Sequence, residues 1–231
     1  MDTKRIFLLV FVAFAACTDP VKSPDQKEKT LPYFGDFGIE INYNEKGEGI
    51  SDTVYDPLPL FAFTNQEGIL ITNDFMLGKI AVVDFFFTNC TSICPMLSSQ
   101  MVRLQHSVKV ENINDQVVLL SHTVDPKNDT PEALKAYANR MGADFSNWNF
   151  VTGNEEDIYW QAKEGYKLTA FPSDTAQGGF FHTDQIALID QEGRIRGYYD
   201  GTSTKAVDQL FTDLHLLLMK SENESRIEKE R

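Results

Sequence analysis

From Leu60 onward the chain alternates between two hydrophobic periods, and each switch marks a new element. LFAFT (60–64) and ILIT (69–72) flank Asn65-Gln66-Glu67-Gly68, which predicts a β-hairpin closed by a glycine turn. IAVVDFFF (80–87) is a nearly unbroken apolar run, as expected of a central strand buried on both faces. Behind Pro95, Leu97, Met101, Leu104 and Val108 recur at helical spacing, and proline is tolerated in a first helical turn. QVVLLSHT (116–123) reads as a second buried strand. Thr130-Pro131 opens a helix with Leu134, Tyr137, Ala138 and Met141 inward, and Gly142 closes it. A short strand, WNFVTG (148–153), and a helix over 155–166 follow. QIALID (185–190) turns through Glu192-Gly193 into RIRGYYDG (194–201), and a last helix carries Leu210, Phe211, Leu214, Leu217 and Leu218 on one face. Upstream, FGIEINYN (37–44) alternates well enough for one short strand.

Strands that alternate with helices and end on a hairpin and a helix predict an α/β domain of thioredoxin-like fold. This domain spans 33–220, with an N-terminal β-hairpin and a late β-hairpin extension, and a charged, frayed tail follows at 221–231. Sites in open α/β sheets favour the carboxyl ends of the strands, where the cysteines after IAVVDFFF fall.

The first residues read differently. Lys4 and Arg5 precede an apolar run, Ile6 to Phe14, that is too short to span a bilayer as a mature helix, so residues 1–16 are expected to be an export signal. Phe14-Ala15-Ala16-Cys17 resembles the lipobox of bacterial lipoproteins, which makes Cys17 the expected lipid attachment site. An ordinary cleaved signal or a buried N-terminal helix is the plainer alternative. Residues 17–32 are polar, with Pro and Lys, and suit a solvated tether between a membrane lipid and the domain. The expected location is the periplasm or the outer side of the cytoplasmic membrane. A formal net charge of −13 argues against a nucleic-acid partner, which needs clustered cations. It favours basic protein patches or cations.

With Cys17 assigned to the anchor, the domain keeps Cys90 and Cys94 in FFFTNCTSICPM (85–96). At i and i+4 on a helix the two Cα atoms lie about 6 Å apart, close enough for a disulfide or for two sulfurs to grip one metal ion. A structural staple, a redox pair and a metal site all remain open. The staple is weakened by its short loop, which constrains few residues. A helix N-terminus is expected to favour the thiolate. Two thiolates are too few for structural zinc, whereas Cu(I) is soft and is held by two thiolates and one imidazole. A metal reading therefore needs a histidine. His106 and His215 lie in helices and read as surface or core-edge residues, while His122 and His182 both fall near the cysteine edge. Met96 could add a thioether, and Met101 belongs to the helix's apolar stripe.

Four segments together resemble the Sco/SenC family, copper-delivery proteins for respiratory cytochrome c oxidase. They are Cys90-Thr91-Ser92-Ile93-Cys94-Pro95; Asp125-Pro126 with Asp129-Thr130-Pro131-Glu132; Trp148 to Gly153; and His182 ahead of Ile189-Asp190 and Gly193. The similarity runs from about Leu60 to about Leu218. The resemblance implies Cys90, Cys94 and His182 as copper ligands and prefers His182 over His122. The implied partner is the oxidase's copper-bearing subunit, and the implied function is copper delivery to its binuclear centre. It also allows a thiol-disulfide oxidoreductase that uses Cys90 and Cys94 as its redox pair on the oxidase's own cysteines. The chain departs from the common family pattern at Thr91-Ser92-Ile93 and at Phe86, and neither change removes a ligand.

Overall fold

The computed structural model describes residues 30–44, 46–91, 93–176 and 179–229. At its centre, β5 (Ile80–Phe86), β6 (Val117–Thr123) and β7 (Trp148–Thr152) run parallel. Antiparallel strands flank them: β10 (Gln185–Ile189) and β11 (Ile195–Asp200) on one side, β3 (Ala62–Asn65) and β4 (Leu70–Thr72) on the other. The order β11-β10-β5-β6-β7-β3-β4 puts β5 and β6 in the middle, and every residue of both is buried, as their apolar runs require.

One face of β5 is covered by helices α1 (Cys94–Val110), α2 (Pro131–Met141) and α4 (Thr204–Lys229), with α1 packed between the other two. Tyr137 of α2 lies over Phe86 and its hydroxyl meets Ser98 of α1 at 2.6 Å. The opposite face carries Phe85 and His122, which pack against Tyr166 beyond α3 (Glu155–Trp160). The helix ends follow their sequence signals. Thr130 caps α2 through Ala133 N–H, Pro131 begins it, and Gly142 ends it at φ 77°.

Four expectations change. The segment before Leu60 holds two strands, not one: β1 (Phe37–Tyr43) pairs antiparallel with β2 (Gly49–Tyr55). Asn44 Oδ1 accepts from the N–H groups of Lys46 and Glu48 to close the turn. The helix expected over 155–166 is α-helical only to Trp160 and continues as one π turn, 161–165, with the Gln161 side chain lying across Gly165. Ahead of β10, β8 (Ala170–Pro172) and β9 (Phe180–His182) form a separate hairpin. The segment expected to fray continues α4 to Lys229, with no Pro or Gly after Gly201 to stop it.

The domain's entry is pinned at the end of the sheet opposite the cysteines. Buried Arg196 pairs with buried Asp190 at 3.1 Å and donates to the carbonyls of Leu31 and Pro32, while its guanidinium lies 3.8 Å from the Tyr33 ring centroid. Arg196→Met should leave Asp190 with Arg194 as its remaining cationic partner and cost about 3 kcal/mol in denaturant unfolding. It should also open residues 30–34 to proteolysis, whereas an unchanged cleavage pattern would show that the clamp does not hold them.

Candidate metal centre

The chain leaves β5 at Phe86, turns through Phe87 and Thr88, and reaches Cys90, whose N–H donates to Phe87 carbonyl. Cys94 then begins α1, with Pro95 in the first turn. Asp129 braces this loop. Its carboxylate accepts from Thr88 N–H and from the hydroxyls of Thr88 and Thr123, and burial holds it above the usual carboxylate range. The Asp129-Thr130-Pro131-Glu132 segment thus does two jobs, anchoring the cysteine loop and capping α2.

His182 arrives from the end of β9, 88 positions after Cys94, and brings Nε2 to 3.3 Å from Cys94 Sγ. Its Nδ1 lies 3.0 Å from Thr183 carbonyl oxygen. A carbonyl can only accept, so Nδ1 carries the proton and, in the neutral ring, the Nε2 lone pair faces the sulfurs. The Cys90 and Cys94 sulfurs and the His182 nitrogen all lie within 4.8 Å of one another, and all three residues are buried. Donors about 2.0–2.3 Å from one ion would stand about 3.5–4 Å apart, so a small closure seats a metal. Two sulfurs and one imidazole suit a soft ion. Among the described residues this is the group with that geometry.

Neither cysteine is in a disulfide, and at Cys94 the expected helix-terminus effect does not win. The neighbouring Cys90 thiol and burial push the Cys94 thiol well above the ordinary value. A thiol in a dry site beside another sulfur gives up its proton more readily when a cation replaces it.

The other histidines separate cleanly. His122 shares a face with Phe85, because these two residues are partners in the β5–β6 register. It stacks on Phe85 at 5.0 Å, with Phe61 and Phe63 edge-on, and its Nε2 meets Tyr166 hydroxyl at 3.1 Å. It is therefore absent from the site it was a contender for. Burial lowers its pKa to about 3 and keeps it neutral. His106 is exposed on α1, and His215 pairs with Glu111 at 2.9 Å.

One residue of the site's surroundings was overlooked in the sequence. Asp84, the single charge inside the β5 run, is buried on the face that α1 and α2 cover. Ser121 hydroxyl donates to it and accepts from Trp148 Nε1 at 2.9 Å, which gives the Trp148–Gly153 segment its physical role. Burial raises Asp84 to about 6, opposed by the Ser121 hydrogen bond and the nearby His182. Its charge also reaches Cys94. An acidic residue interrupting an apolar strand just before the cysteines was the available signal.

At residues 55–217 the chain matches the sequence pattern of SCO1/SenC proteins. The chain belongs to the SCO1/SenC family. A relative, the SCO1 protein homolog of Bacillus subtilis, is 31% identical over 169 residues, covering 73% of this chain and 86% of the relative. A SCO1/SenC family lipoprotein from Bacillus anthracis superposes with a TM-score of 0.65 at 35% identity, over 70% of this chain and 95% of that one. BsSco, described as having a disulfide switch and as a member of the Sco family of cytochrome c oxidase assembly proteins, gives 0.63 at 30% identity, over 70% and 92%. ScoI of Bradyrhizobium japonicum, solved with copper bound, shares the fold at 24% identity and a TM-score of 0.55, over 70% and 99%. The thioredoxin-like reading of the fold holds. Cys17 and the leader lie outside the described residues, and among the described residues no helix is long and apolar enough to cross a membrane.

Proposed function

We propose that this chain is an exported, lipid-anchored copper chaperone that carries one copper ion on Cys90, Cys94 and His182. It hands the ion to the binuclear copper centre of a cytochrome c oxidase. The observation that supports it most is the pairing of Cys94 Sγ with Nε2 of His182, contributed by a separate hairpin. Membership of a family with copper-bound and oxidase-assembly relatives supports the choice of ion and acceptor.

The chain's own residues account for loading and release. Each thiol must lose its proton to become a ligand, so copper displaces up to two protons and affinity falls as pH falls, by up to about a hundredfold per unit. Protonation at the end of transfer restores the thiol pair. His182 sits at the end of a three-residue strand, in a hairpin separate from the main sheet, so one ligand can let go while the cysteines stay on α1 and its loop.

An acceptor must come over the hairpin that carries His182. There Phe171 and Phe181 stack at 5.3 Å and both are exposed, and Met96 is exposed two residues after Cys94. Copper-loaded protein mixed anaerobically with the reduced soluble copper-bearing domain of an oxidase should transfer its ion. Phe171→Ser with Phe181→Ser should bind copper as the wild type does and transfer it at least about tenfold more slowly, as loss of an aromatic contact patch implies. Equal transfer rates would remove the rim's role, and no transfer by the wild type would remove the chaperone reading.

A second reading, thiol-disulfide exchange, is favoured by the unequal burial of the sulfurs. Cys90 is 8% exposed and Cys94 is 0% exposed, so Cys90 would attack and Cys94 resolve. An acceptor disulfide would gain two electrons and two protons while Cys90 and Cys94 close their own disulfide. Offering an oxidised acceptor to copper-free protein, and counting thiols on both, separates the two.

A further inference from the structure

The hairpin β1–β2 is a two-stranded sheet by itself, and among the described residues no other strand pairs with it. Thirteen of its fourteen strand residues are exposed. A lone hairpin in water is marginally stable, and one face of this one gathers its largest apolar row. Its register puts Phe37, Ile39, Ile41 and Tyr43 on one face, opposite Tyr55, Thr53, Ser51 and Gly49. The other face carries Glu40 opposite Asp52 at its centre, with Gly38 opposite Val54 and Asn42 opposite Ile50, so its two apolar side chains are split by a carboxylate pair. The four large side chains of the first row are 60–74% exposed, with aromatic rings at both ends and isoleucines between. That is the composition of a surface at the boundary between lipid and water.

Its position agrees. The hairpin's base is tied to the turn between β10 and β11, where Phe34 N–H donates to Ile195 carbonyl and Leu58 N–H to Gly193 carbonyl, and the base itself is closed by Asp56 N–H donating to Asp36 carbonyl. That turn adjoins the start of β5, where Ile189 pairs with Ala81, whereas the cysteines and His182 stand beyond its far end. Seven residues of strand separate the two ends by about 20 Å. The expected lipid on Cys17 is followed by thirteen residues, 18–30, before the Arg196 clamp receives Leu31 and Pro32. Thirteen residues reach at most about 45 Å even when fully extended. The hairpin therefore meets the lipid surface at high effective concentration, where even a weak apolar contact is populated.

We infer that the Phe37, Ile39, Ile41 and Tyr43 face of the hairpin rests on the membrane surface and holds the domain with its Cys90–Cys94–His182 end turned away from the bilayer. The inference rests on the lipid-anchored reading above. Residues 36–56 hold six carboxylates and one lysine, so the surface it fits is zwitterionic rather than anionic. The same carboxylates oppose stacking against a second copy's hairpin.

The test uses the full lipidated chain on phosphatidylcholine vesicles. Flotation with the vesicles reports the anchor. Contact is read by Tyr43→Trp, which keeps an aromatic ring in the face, using phosphatidylcholine brominated in its acyl chains. More than half of the added emission should be quenched, and adding phosphatidylserine should reduce that quenching. Ile39→Glu with Ile41→Glu in the Tyr43→Trp background should still float, bind one copper per chain, and lose the quenching. Flotation without quenching would overturn the inference and leave the anchor standing, and failure of the wild type to float would remove both. Blue-shifted emission without quenching would assign the face to a second copy and also overturn it.

Discussion

His182→Ala is expected to lower copper affinity at least a hundredfold, about 3 kcal/mol, while leaving the fold intact. The three donor atoms already stand within 4.8 Å of one another, so binding is charged little for gathering them. Removing the imidazole leaves a two-sulfur site that still attracts Cu(I) but lacks the nitrogen that Cu(II) prefers, so the loss should be greater for Cu(II). The ring is 7% exposed and its hydrogen bonds go only to the neighbouring Thr183 carbonyl and to Cys94 Sγ, so thermal unfolding of the metal-free variant should fall only modestly below the wild type. His122→Ala is the matched control: it should bind copper normally, because His122 packs among Phe61, Phe63 and Phe85 on the other face of the sheet. Equal affinities for wild type and His182→Ala would contradict the site.

The second large effect concerns acid stability, and His122 is its source. Its pKa is about 3 in the fold because burial opposes the charge, against an ordinary 6.5. Between those values the unfolded chain binds more protons than the folded one, so stability is present above pH 6.5 and is lost as pH falls toward 3, by about 4–5 kcal/mol in full. Asp84 acts oppositely. Burial raises it to about 6 from 3.8, so the folded state takes a proton first and gains about 3 kcal/mol as pH falls through 6 toward 4. Urea unfolding of His122→Phe should therefore show little loss, or a gain, between pH 6.5 and 4, where the wild type has these two effects in opposition. At pH 7 the variant should lose about 1–2 kcal/mol, because Tyr166 hydroxyl loses the His122 ring as partner. The same pH slope in both proteins would show that His122 is not the titrating group.

The strands and helices that could be read from the chain are those whose burial is one-sided or complete. IAVVDFFF and VVLLSHT became β5 and β6, and the Leu97-Met101-Leu104-Val108 stripe became the inner face of α1. β2 was missed because GISDTVY packs against no core and so carries no burial pattern to find. The π turn depends on Gln161 lying over Gly165, a contact that periodicity does not encode. The choice between His122 and His182 shows the same limit. Along β6 both faces are buried, so nothing local says that Ser121 points toward Asp84 and His122 away from it; only pairing with β5 decides this. The Cys90 and Cys94 positions were legible from spacing, but the proposed third donor comes from a hairpin whose strands are three residues long. It was the family pattern that brought it forward.

The most direct measurement is X-ray absorption at the copper edge of the anaerobically loaded protein, with copper counted per chain. One copper with two sulfur scatterers and one imidazole nitrogen is the predicted result, the nitrogen vanishing in His182→Ala. A sulfur-only shell in the wild type, a nitrogen that survives in His182→Ala, or more than one copper per chain would contradict the Cys90–Cys94–His182 centre.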